Sequence, residues 1–235
     1  MSEKKAIIPN MFTMTNLVIG FIAIIFAGKG PEYLPLAGVL VFIASFFDLF
    51  DGAAARALKV DNPIGAELDS LADAISYGIA PGIISYHAFL KDLPELAMLI
   101  APIFPLCAVY RLARFNIIQT DSKGFSGLPS PPAGMLISSI PALSYSLPFW
   151  GPINFKFPLE FLVSLYIFIA LLMVSKVDYN KLFSDLYVKG KAVRVITILV
   201  VILLLIFFKM WAVFVVSLIY VLVGLLNYII KLFRK

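Results

Sequence analysis

Acidic side chains are concentrated in one short segment of an otherwise apolar chain. Six of the fourteen aspartates and glutamates lie within residues 46–78. Asp48 and Asp51 are three residues apart, and Asp69 and Asp73 are four apart. In an α-helix, either spacing places both members of a pair on one face. The chain turns back between the pairs at the sequence DNPIG, so two adjacent antiparallel helices are expected to bring four carboxylates together.

Four carboxylates in a small volume repel one another, and they need a positive charge among them to remain ionised. A divalent cation would supply that charge. Oxygen ligands without a nearby histidine or cysteine indicate a hard ion such as Mg²⁺, Mn²⁺ or Ca²⁺ rather than zinc. Four carboxylates are enough to hold two such ions, an arrangement suited to displacement at a phosphorus atom. We expect two divalent cations, Mg²⁺ or Mn²⁺, and Ca²⁺ could occupy the site without supporting turnover.

Small residues and an arginine accompany the aspartates. Gly52 follows Asp51 directly, and Gly65 lies one helical turn before Asp69. Small side chains beside a metal cluster let backbone and ligand approach closely. Arg56 falls one turn beyond Gly52, within reach of a phosphate held at the metals. Together these residues predict a pyrophosphate site, although the small residues alone would also be explained by close helix packing.

The composition indicates an integral membrane protein. Of the 235 residues, 61% are apolar and 14% are charged, and the mean hydropathy is +0.98. Soluble domains are about half apolar and about a quarter charged, and a chain of this size leaves too much surface in water to hide the excess. Intrinsic disorder, a secreted disulfide scaffold and nucleic acid as a partner are excluded, and the single Cys107 allows no internal disulfide. The expected fold is an all-α polytopic bundle that forms one membrane domain over residues 1–235.

Eight membrane spans are predicted, because a spanning helix needs about 20 mostly apolar residues. The last two are divided at Lys209, since the apolar run there is too long for one span. With the N-terminus inside, fifteen of the nineteen lysines and arginines fall on the inner side, as the positive-inside rule requires. Both termini and the aspartates are therefore expected on the cytoplasmic face of the cell membrane, and no secretory signal peptide is predicted. The predicted spans lie near residues 9–27, 34–51, 69–90, 95–115, 131–149, 159–175, 192–208 and 210–230.

Two other interpretations of the aspartates stay open. They could cap helices and pair with Arg56 and Lys59, because Asp69 lies near a helix N-terminus, where carboxylates are favoured. Asp48 and Asp51 argue against this, since a helix C-terminus carries negative partial charge. The second alternative is a proton or ion pathway, although transport proteins usually set ionisable groups near mid-membrane and these four lie at one edge.

The segment from Asp48 to Asp73 reads D-x2-D-G-x2-A-R-x8-G-x3-D-x3-D. At every fixed position it resembles the signature of the CDP-alcohol phosphotransferase family of integral membrane enzymes. The first span contains IPNMFTMTN, which is similar to the usual opening of the family's first helix. The sequences YRLARFNI and FSGLPSPPAG resemble one branch of the family, the membrane-spanning phosphatidylserine synthases.

The resemblance implies a reaction and a site. A CDP-linked lipid, either CDP-diacylglycerol or an ether-lipid equivalent, gives its phosphatidyl group to the hydroxyl of L-serine and releases CMP. The family fold is a core of six helices, often dimeric, so this chain is expected to carry two additional spans and to form a homodimer. By the family pattern, the four aspartates bind two divalent ions and Asp73 accepts the proton of the hydroxyl. The residues implied to contact the CDP-lipid are Gly52, Arg56, Asn62, Thr13 and Asn16.

The chemistry of serine suggests where the acceptor binds. Serine is a zwitterion, so its pocket needs a cation for the carboxylate and an acceptor for the ammonium. Arg111 and Arg114 share a helical face at the inner end of the fourth span, and Asn116 follows. We expect this trio to hold serine, with the sequence GFSGLPSPPAG shaping the pocket. The alternative is that both arginines are ordinary positive-inside anchors.

Two rival functions remain at this point. A member of the same family with glycerol phosphate or inositol phosphate as the acceptor would need a larger basic pocket for the acceptor's phosphate. A cation transporter or channel would use the aspartates without any CDP-lipid, and its activity would be indifferent to Arg56.

Overall fold

The computed structural model describes residues 2–58, 63–93, 95–118, 127–144, 157–177, 179 and 210–233. These residues form helices and connections, and no strand occurs among them. The expected all-α class is therefore confirmed for the described part of the chain.

The described helices range from one turn to 28 residues in length. A 3₁₀ turn at Pro31–Tyr33 precedes α2, and another at Leu90–Asp92 follows α4. A π-helical turn at Ala74–Ile79 joins α3 to α4, so the chain is helical without a break from residue 63 to residue 88. The helices are α1 (Ser2–Lys29), α2 (Leu34–Leu58), α3 (Pro63–Asp73), α4 (Ala80–Ala88), α5 (Ala97–Ile100), α6 (Ile103–Ile118), α7 (Ser130–Ser144), α8 (Leu159–Val174) and α9 (Met210–Phe233).

Within the described residues, four helical stretches are long and apolar enough to cross a membrane. They are Ala6–Lys29, Pro31–Leu58, Ala97–Ile117 and Met210–Phe233, and they correspond to the predicted spans 9–27, 34–51, 95–115 and 210–230. The predicted span 159–175 corresponds to α8, a shorter apolar helix. The predicted spans 69–90 and 131–149 are helical over much of their length but are not among the four. The span 192–208 lies outside the described residues, so the count of eight stays a prediction.

The outer surface of α1 has the character expected of a helix in lipid. Large apolar side chains are exposed along its length at Ile7, Met11, Met14, Val18, Phe21 and Ile25. The opposite face is buried and carries polar or small residues at Thr13, Asn16, Ala23 and Ala27. Exposed apolar and buried polar side chains reverse the pattern of a soluble amphipathic helix, and bilayer contact explains the reversal.

Close helix packing brings the acidic segment into the interior. α1 packs along α2 and also contacts α3 and the π-helical turn, while α7 packs against both α2 and α9. At Gly134 on α7, an added Cβ would lie 2.9 Å from the Cα of Tyr77 and 3.0 Å from its carbonyl oxygen. A larger residue would force these elements apart, so Gly134 permits the approach of α7 to the segment that follows Asp73.

The π-helical turn begins directly after Asp73. The Ala80 N–H donates to the Ile75 carbonyl, five residues back. Pro81 follows and has no N–H to donate, so the regular ladder is already interrupted there. π-Turns inside α-helices often accompany functional sites. In this chain the turn changes the register of the helix between Asp73 and the buried residues Ser76 and Tyr77.

Candidate active site

The structure brings the four aspartates of the acidic segment together. Asp48 and Asp51 come from the end of α2, and Asp69 and Asp73 from α3. Oxygen atoms of Asp48, Asp51 and Asp69 all lie within 4.8 Å of one another. Asp73 joins them from the interior, since it is 9% exposed and its carboxyl group is within hydrogen-bonding reach of that of Asp48. The four carboxylates therefore lie together, as the spacings of three and four residues on two adjacent helices predict.

These donors fit a hard divalent cation. One oxygen of Asp69 and one of Asp73 are buried and have no hydrogen-bond partner among the described residues. Buried carboxylate oxygens without partners are costly, and a cation in their midst offsets that cost. The donor set contains only carboxylates, which suits Mg²⁺ or Mn²⁺.

A hydrogen bond from α1 holds one of the aspartates. The Thr13 hydroxyl lies 2.9 Å from Oδ2 of Asp51 and 3.2 Å from the Pro9 carbonyl of its own helix. Both Thr13 and Asp51 are buried. Thr13 therefore orients the Asp51 carboxylate of the cluster. Its expected contact with the CDP-lipid stays a prediction.

A cavity of about 240 Å³ opens beside the aspartates. Its walls are the first turns of α1, the end of α2 and the beginning of α3. Small residues on α2 and α3 leave the space free, and Asp51 and Asp69 provide its acidic side. The residues that line the cavity include Thr13, Asp51, Gly52, Ala55, Gly65, Ala66 and Asp69.

Arg56 lies beside Gly52, which is on the wall of this cavity. It is exposed, and a Cβ added at Gly52 would be 3.3 Å from its Nη1. The guanidinium group therefore rests against the bare backbone of Gly52, one helical turn away. An exposed arginine over a glycine can reach an anion in the cavity without displacing buried side chains.

Arg111 is the second arginine near the cluster. It lies on α6, is 9% exposed, and donates a hydrogen bond of 2.9 Å to Oγ of Ser130. Asp73 is close enough to interact with it electrostatically. Of the trio expected to hold serine, Arg111 is thus the residue that interacts electrostatically with Asp73.

The other two members of the trio contact neighbouring helices. Arg114 donates to the backbone carbonyls of Val174 and Ser175, at 3.2 and 3.4 Å. The Asn116 amide lies 3.1 Å from Oγ of Ser70 and 3.5 Å from a Glu67 oxygen on α3. Their contact with serine stays a prediction. Of the remaining predicted residues, Asn62 and residues 124–126 of GFSGLPSPPAG lie outside the described part of the chain.

Buried polar groups behind the aspartates extend the site. Both amide atoms of Asn16 and the hydroxyl of Tyr77 are buried without a hydrogen-bond partner in the described structure. Tyr77 is close enough to all four aspartates to interact with them electrostatically. Sequence reasoning missed Tyr77, although its position four residues after Asp73 was a usable signal.

Comparisons with known proteins agree with this geometry. The family model described as CDP-alcohol phosphatidyltransferase matches residues 6–175. An archaetidylserine synthase of Methanothermobacter thermautotrophicus is 33% identical over 187 residues, which are 77% of this chain and 74% of the relative. The CDP-diacylglycerol–serine O-phosphatidyltransferase of Bacillus subtilis is 38% identical over 55% of this chain and 72% of its own length.

A relative from a further archaeon covers more of the chain. The CDP-diacylglycerol–serine O-phosphatidyltransferase of Methanocaldococcus jannaschii is 32% identical over 188 residues, which are 79% of this chain and 80% of the relative. Residues 6–175, which the family model matches, contain the four aspartates and the residues that line the cavity beside them. With that coverage and that signature, the chain belongs to the CDP-alcohol phosphatidyltransferase family.

Proposed function

We propose that this protein transfers the phosphatidyl group of a CDP-linked lipid to the hydroxyl of L-serine and releases CMP. The observation that carries the proposal is the convergence of Asp48, Asp51, Asp69 and Asp73 beside a cavity with glycine on its wall. The names of the relatives, which are serine phosphatidyltransferases and an archaetidylserine synthase, support serine as the acceptor. The lipid is CDP-diacylglycerol or its ether equivalent.

The four aspartates would hold two divalent cations, Mg²⁺ or Mn²⁺. When bound, the ions supply positive charge that neutralises the phosphates and favours displacement at phosphorus. The buried oxygens of Asp69 and Asp73 that have no partner support this assignment. Thr13 keeps the Asp51 carboxylate in place for it.

The cavity wall would bind the CDP portion of the lipid. Gly52 and Gly65 leave room for the pyrophosphate to approach the backbone, and Arg56 would add a cation beside Gly52. Asn16 offers an unpartnered buried amide on the same helix as Thr13. Asn62, in the connection between α2 and α3, is included on the strength of the signature.

Serine would bind next to Asp73. In the reaction, the serine hydroxyl oxygen forms a bond to the lipid-bearing phosphorus, the bond from that phosphorus to CMP breaks, and the hydroxyl proton passes to Asp73. Arg111 would receive the serine carboxylate, and its burial and its electrostatic interaction with Asp73 support this role. Asp73 and Arg111 would hold the serine hydroxyl in position for attack, and this positioning would contribute to the rate enhancement.

The membrane arrangement follows from the same chemistry. CDP-lipid chains stay in lipid while serine and CMP are soluble, so the site must lie at the membrane surface. We propose eight spans in a single domain, both termini in the cytoplasm, a site facing the cytoplasm, and a homodimer. The excess of lysine and arginine on the predicted inner segments supports this orientation.

The test is CMP release by the purified protein with CDP-diacylglycerol and a panel of alcohols. We expect release with L-serine in the presence of Mg²⁺ or Mn²⁺, and none with glycerol phosphate or inositol phosphate. Release with one of those phosphates instead of serine would transfer the protein to another branch of the family. Cation flux in liposomes without CDP-lipid, unaffected by Arg56→Ala, would favour a transporter.

A further inference from the structure

Arg111 is a buried cation whose orientation is fixed by one serine. Its guanidinium donates to Oγ of Ser130 at 2.9 Å, and Ser130 is 0% exposed. A guanidinium group has five N–H donors in a rigid planar arrangement. The bond to Ser130 uses one of them and sets the plane of the group, and Arg111 is close enough to Asp73 to interact with it electrostatically.

The position of Ser130 is itself fixed by backbone pairing. Ser130 is the first residue of α7, and the residues just before it pair with the end of α8. The Gly127 N–H donates to the Val177 carbonyl at 2.8 Å, and the Leu128 N–H to the Leu172 carbonyl at 3.0 Å. We call Gly127–Ser130 and Leu172–Val177, joined in this way, the latch.

Gly127 is required in the latch for two reasons. Its φ of 102° lies in the left-handed region, which residues with a Cβ rarely adopt. A Cβ there would also collide with the Met173 carbonyl oxygen and lie 3.0 Å from Nη2 of Arg114. The segment before α7 thus passes directly over the end of α8.

Arg114 ties the latch to α6. Its two terminal nitrogens donate to the carbonyls of Val174 and Ser175, at the C-terminal end of α8. Carbonyls at a helix C-terminus lack partners within the helix, and a cation there is favoured by the helix dipole. Arg111 and Arg114 are one helical turn apart on α6. Arg111 interacts electrostatically with Asp73, and Arg114 bonds to the latch.

We propose that Ser130 and Arg114 are positioning residues that hold Arg111 in place to bind the serine carboxylate. Ser130 sets the guanidinium plane, and Arg114 fixes the latch that presents Ser130. This assignment rests on the proposed function. It gives different roles to Arg111 and Arg114, which the sequence alone does not distinguish. The acceptor binds to Arg111, and Arg114 acts through the latch.

Kinetics of Ser130 variants test the first step. Ser130→Ala should raise the KM for serine about tenfold, as expected for loss of a hydrogen bond to a charged group, and should leave the KM for CDP-diacylglycerol at the wild-type value. Ser130→Thr keeps the hydroxyl and should restore most of the serine KM. Ser139→Ala is the matched control, since Ser139 is a buried serine of α7 whose hydroxyl donates to its own helix at Leu136. An equal rise in both KM values, or the same effect from Ser139→Ala, would overturn the assignment.

A double variant separates positioning from general damage. If Ser130 acts through Arg111, Ser130→Ala should add nothing to the serine KM of Arg111→Ala. Additive effects would overturn the coupling. Wild-type protein is assayed first, because absence of serine-dependent CMP release there refutes the proposed function, whereas a normal wild type with an unaltered Ser130→Ala refutes only this inference.

Hydrogen exchange tests the role of Arg114 without any substrate. The Gly127 and Leu128 amides should be protected in the wild-type protein by their bonds to α8. Arg114→Ala should lower their protection at least tenfold by loosening the latch, and Arg114→Lys should restore part of it. Ser130→Ala should leave it unchanged. Unaltered protection in Arg114→Ala would show that Arg114 does not hold the latch.

Discussion

Thr13 on α1 donates a hydrogen bond to Asp51 on α2, with 2.9 Å between the two oxygens. The bond joins two helices through residues that are 38 positions apart in sequence. Both residues are buried. A hydroxyl donor at this place favours the ionised carboxylate and limits its rotation. In metal sites, groups that hold a ligand in this way tune affinity strongly.

The first prediction concerns this bond. Thr13→Val keeps the shape of the side chain and removes the donor, so we expect about tenfold weaker activation by Mn²⁺, in line with the loss of a supporting hydrogen bond. Thr13→Ser should stay close to the wild type. Thr15→Val is the control, because the Thr15 hydroxyl is exposed and bonds only within α1, to Met11. Mn²⁺ titrations of CMP release check the prediction, and equal effects of Thr13→Val and Thr15→Val would contradict it.

The second prediction concerns the metal itself. Asp69→Asn removes one negative charge from a cluster in which three carboxylate oxygens lie within 4.8 Å. We expect turnover to be lost at ordinary Mg²⁺ or Mn²⁺, while the thermal unfolding of the metal-free protein is unchanged or slightly improved, because repulsion falls. Glu160→Gln, at an exposed carboxylate of α8, should have no effect on either measurement.

Chelation provides the complementary experiment. EDTA should abolish CMP release by the wild type, and added Mn²⁺ should restore it. It should also lower the thermal unfolding temperature of the metal-loaded protein, since an ion that binds only the folded state stabilises it. Full activity of Asp69→Asn at ordinary metal concentrations, or activity that survives EDTA, would refute the two-metal site.

The third prediction concerns the contact between Arg56 and Gly52. In Gly52→Ala, the new methyl group would lie 3.3 Å from Nη1 of Arg56 and would make the cavity narrower. We expect the KM for CDP-diacylglycerol to rise about tenfold, as when a charge-assisted contact is lost, with a smaller change in the KM for serine. Gly28→Ala is the matched control, since a Cβ there meets nothing within 4 Å. A Gly52→Ala enzyme with an unchanged KM for the CDP-lipid would exclude Gly52 from the binding wall.

Much of the aspartate site could be predicted from sequence because it depends on local spacing. Intervals of three and four residues fix which side chains share a helical face. α2 ends at Leu58 and α3 begins at Pro63, and so short a separation leaves few ways for the two faces to meet. Asp48, Asp51 and Asp69 accordingly lie together as expected.

The contacts of the arginines could not be predicted in the same way. Arg111 and Arg114 share a helical face, yet one contacts Ser130 and the other the end of α8. That difference depends on how α6, α7 and α8 pack, which involves residues about 20 to 60 positions away and leaves no periodic signal. The π-helical turn after Asp73 likewise has no periodic signal in the sequence. It depends on tertiary packing and on Pro81.

The final prediction compares two tyrosines that are both 0% exposed. The Tyr166 hydroxyl donates to the Ala101 carbonyl at 2.6 Å, whereas the Tyr77 hydroxyl has no partner among the described residues. A buried polar group costs free energy when it is unpaired, and a bonded one costs free energy when its partner is removed. The same substitution should therefore change stability in opposite directions at the two positions.

We expect Tyr166→Phe to lower the free energy of unfolding by about 1–2 kcal/mol, because it leaves the Ala101 carbonyl without its donor. Tyr77→Phe should leave stability unchanged or raise it. It should lower turnover, because the Tyr77 hydroxyl is close enough to interact electrostatically with the four aspartates, where the substrates are proposed to meet. Thermal unfolding in detergent and CMP release, measured on both variants, check the pair. An equal loss of stability in the two would mean that the Tyr77 hydroxyl is bonded in the folded protein, and full activity of Tyr77→Phe would place it outside the reaction.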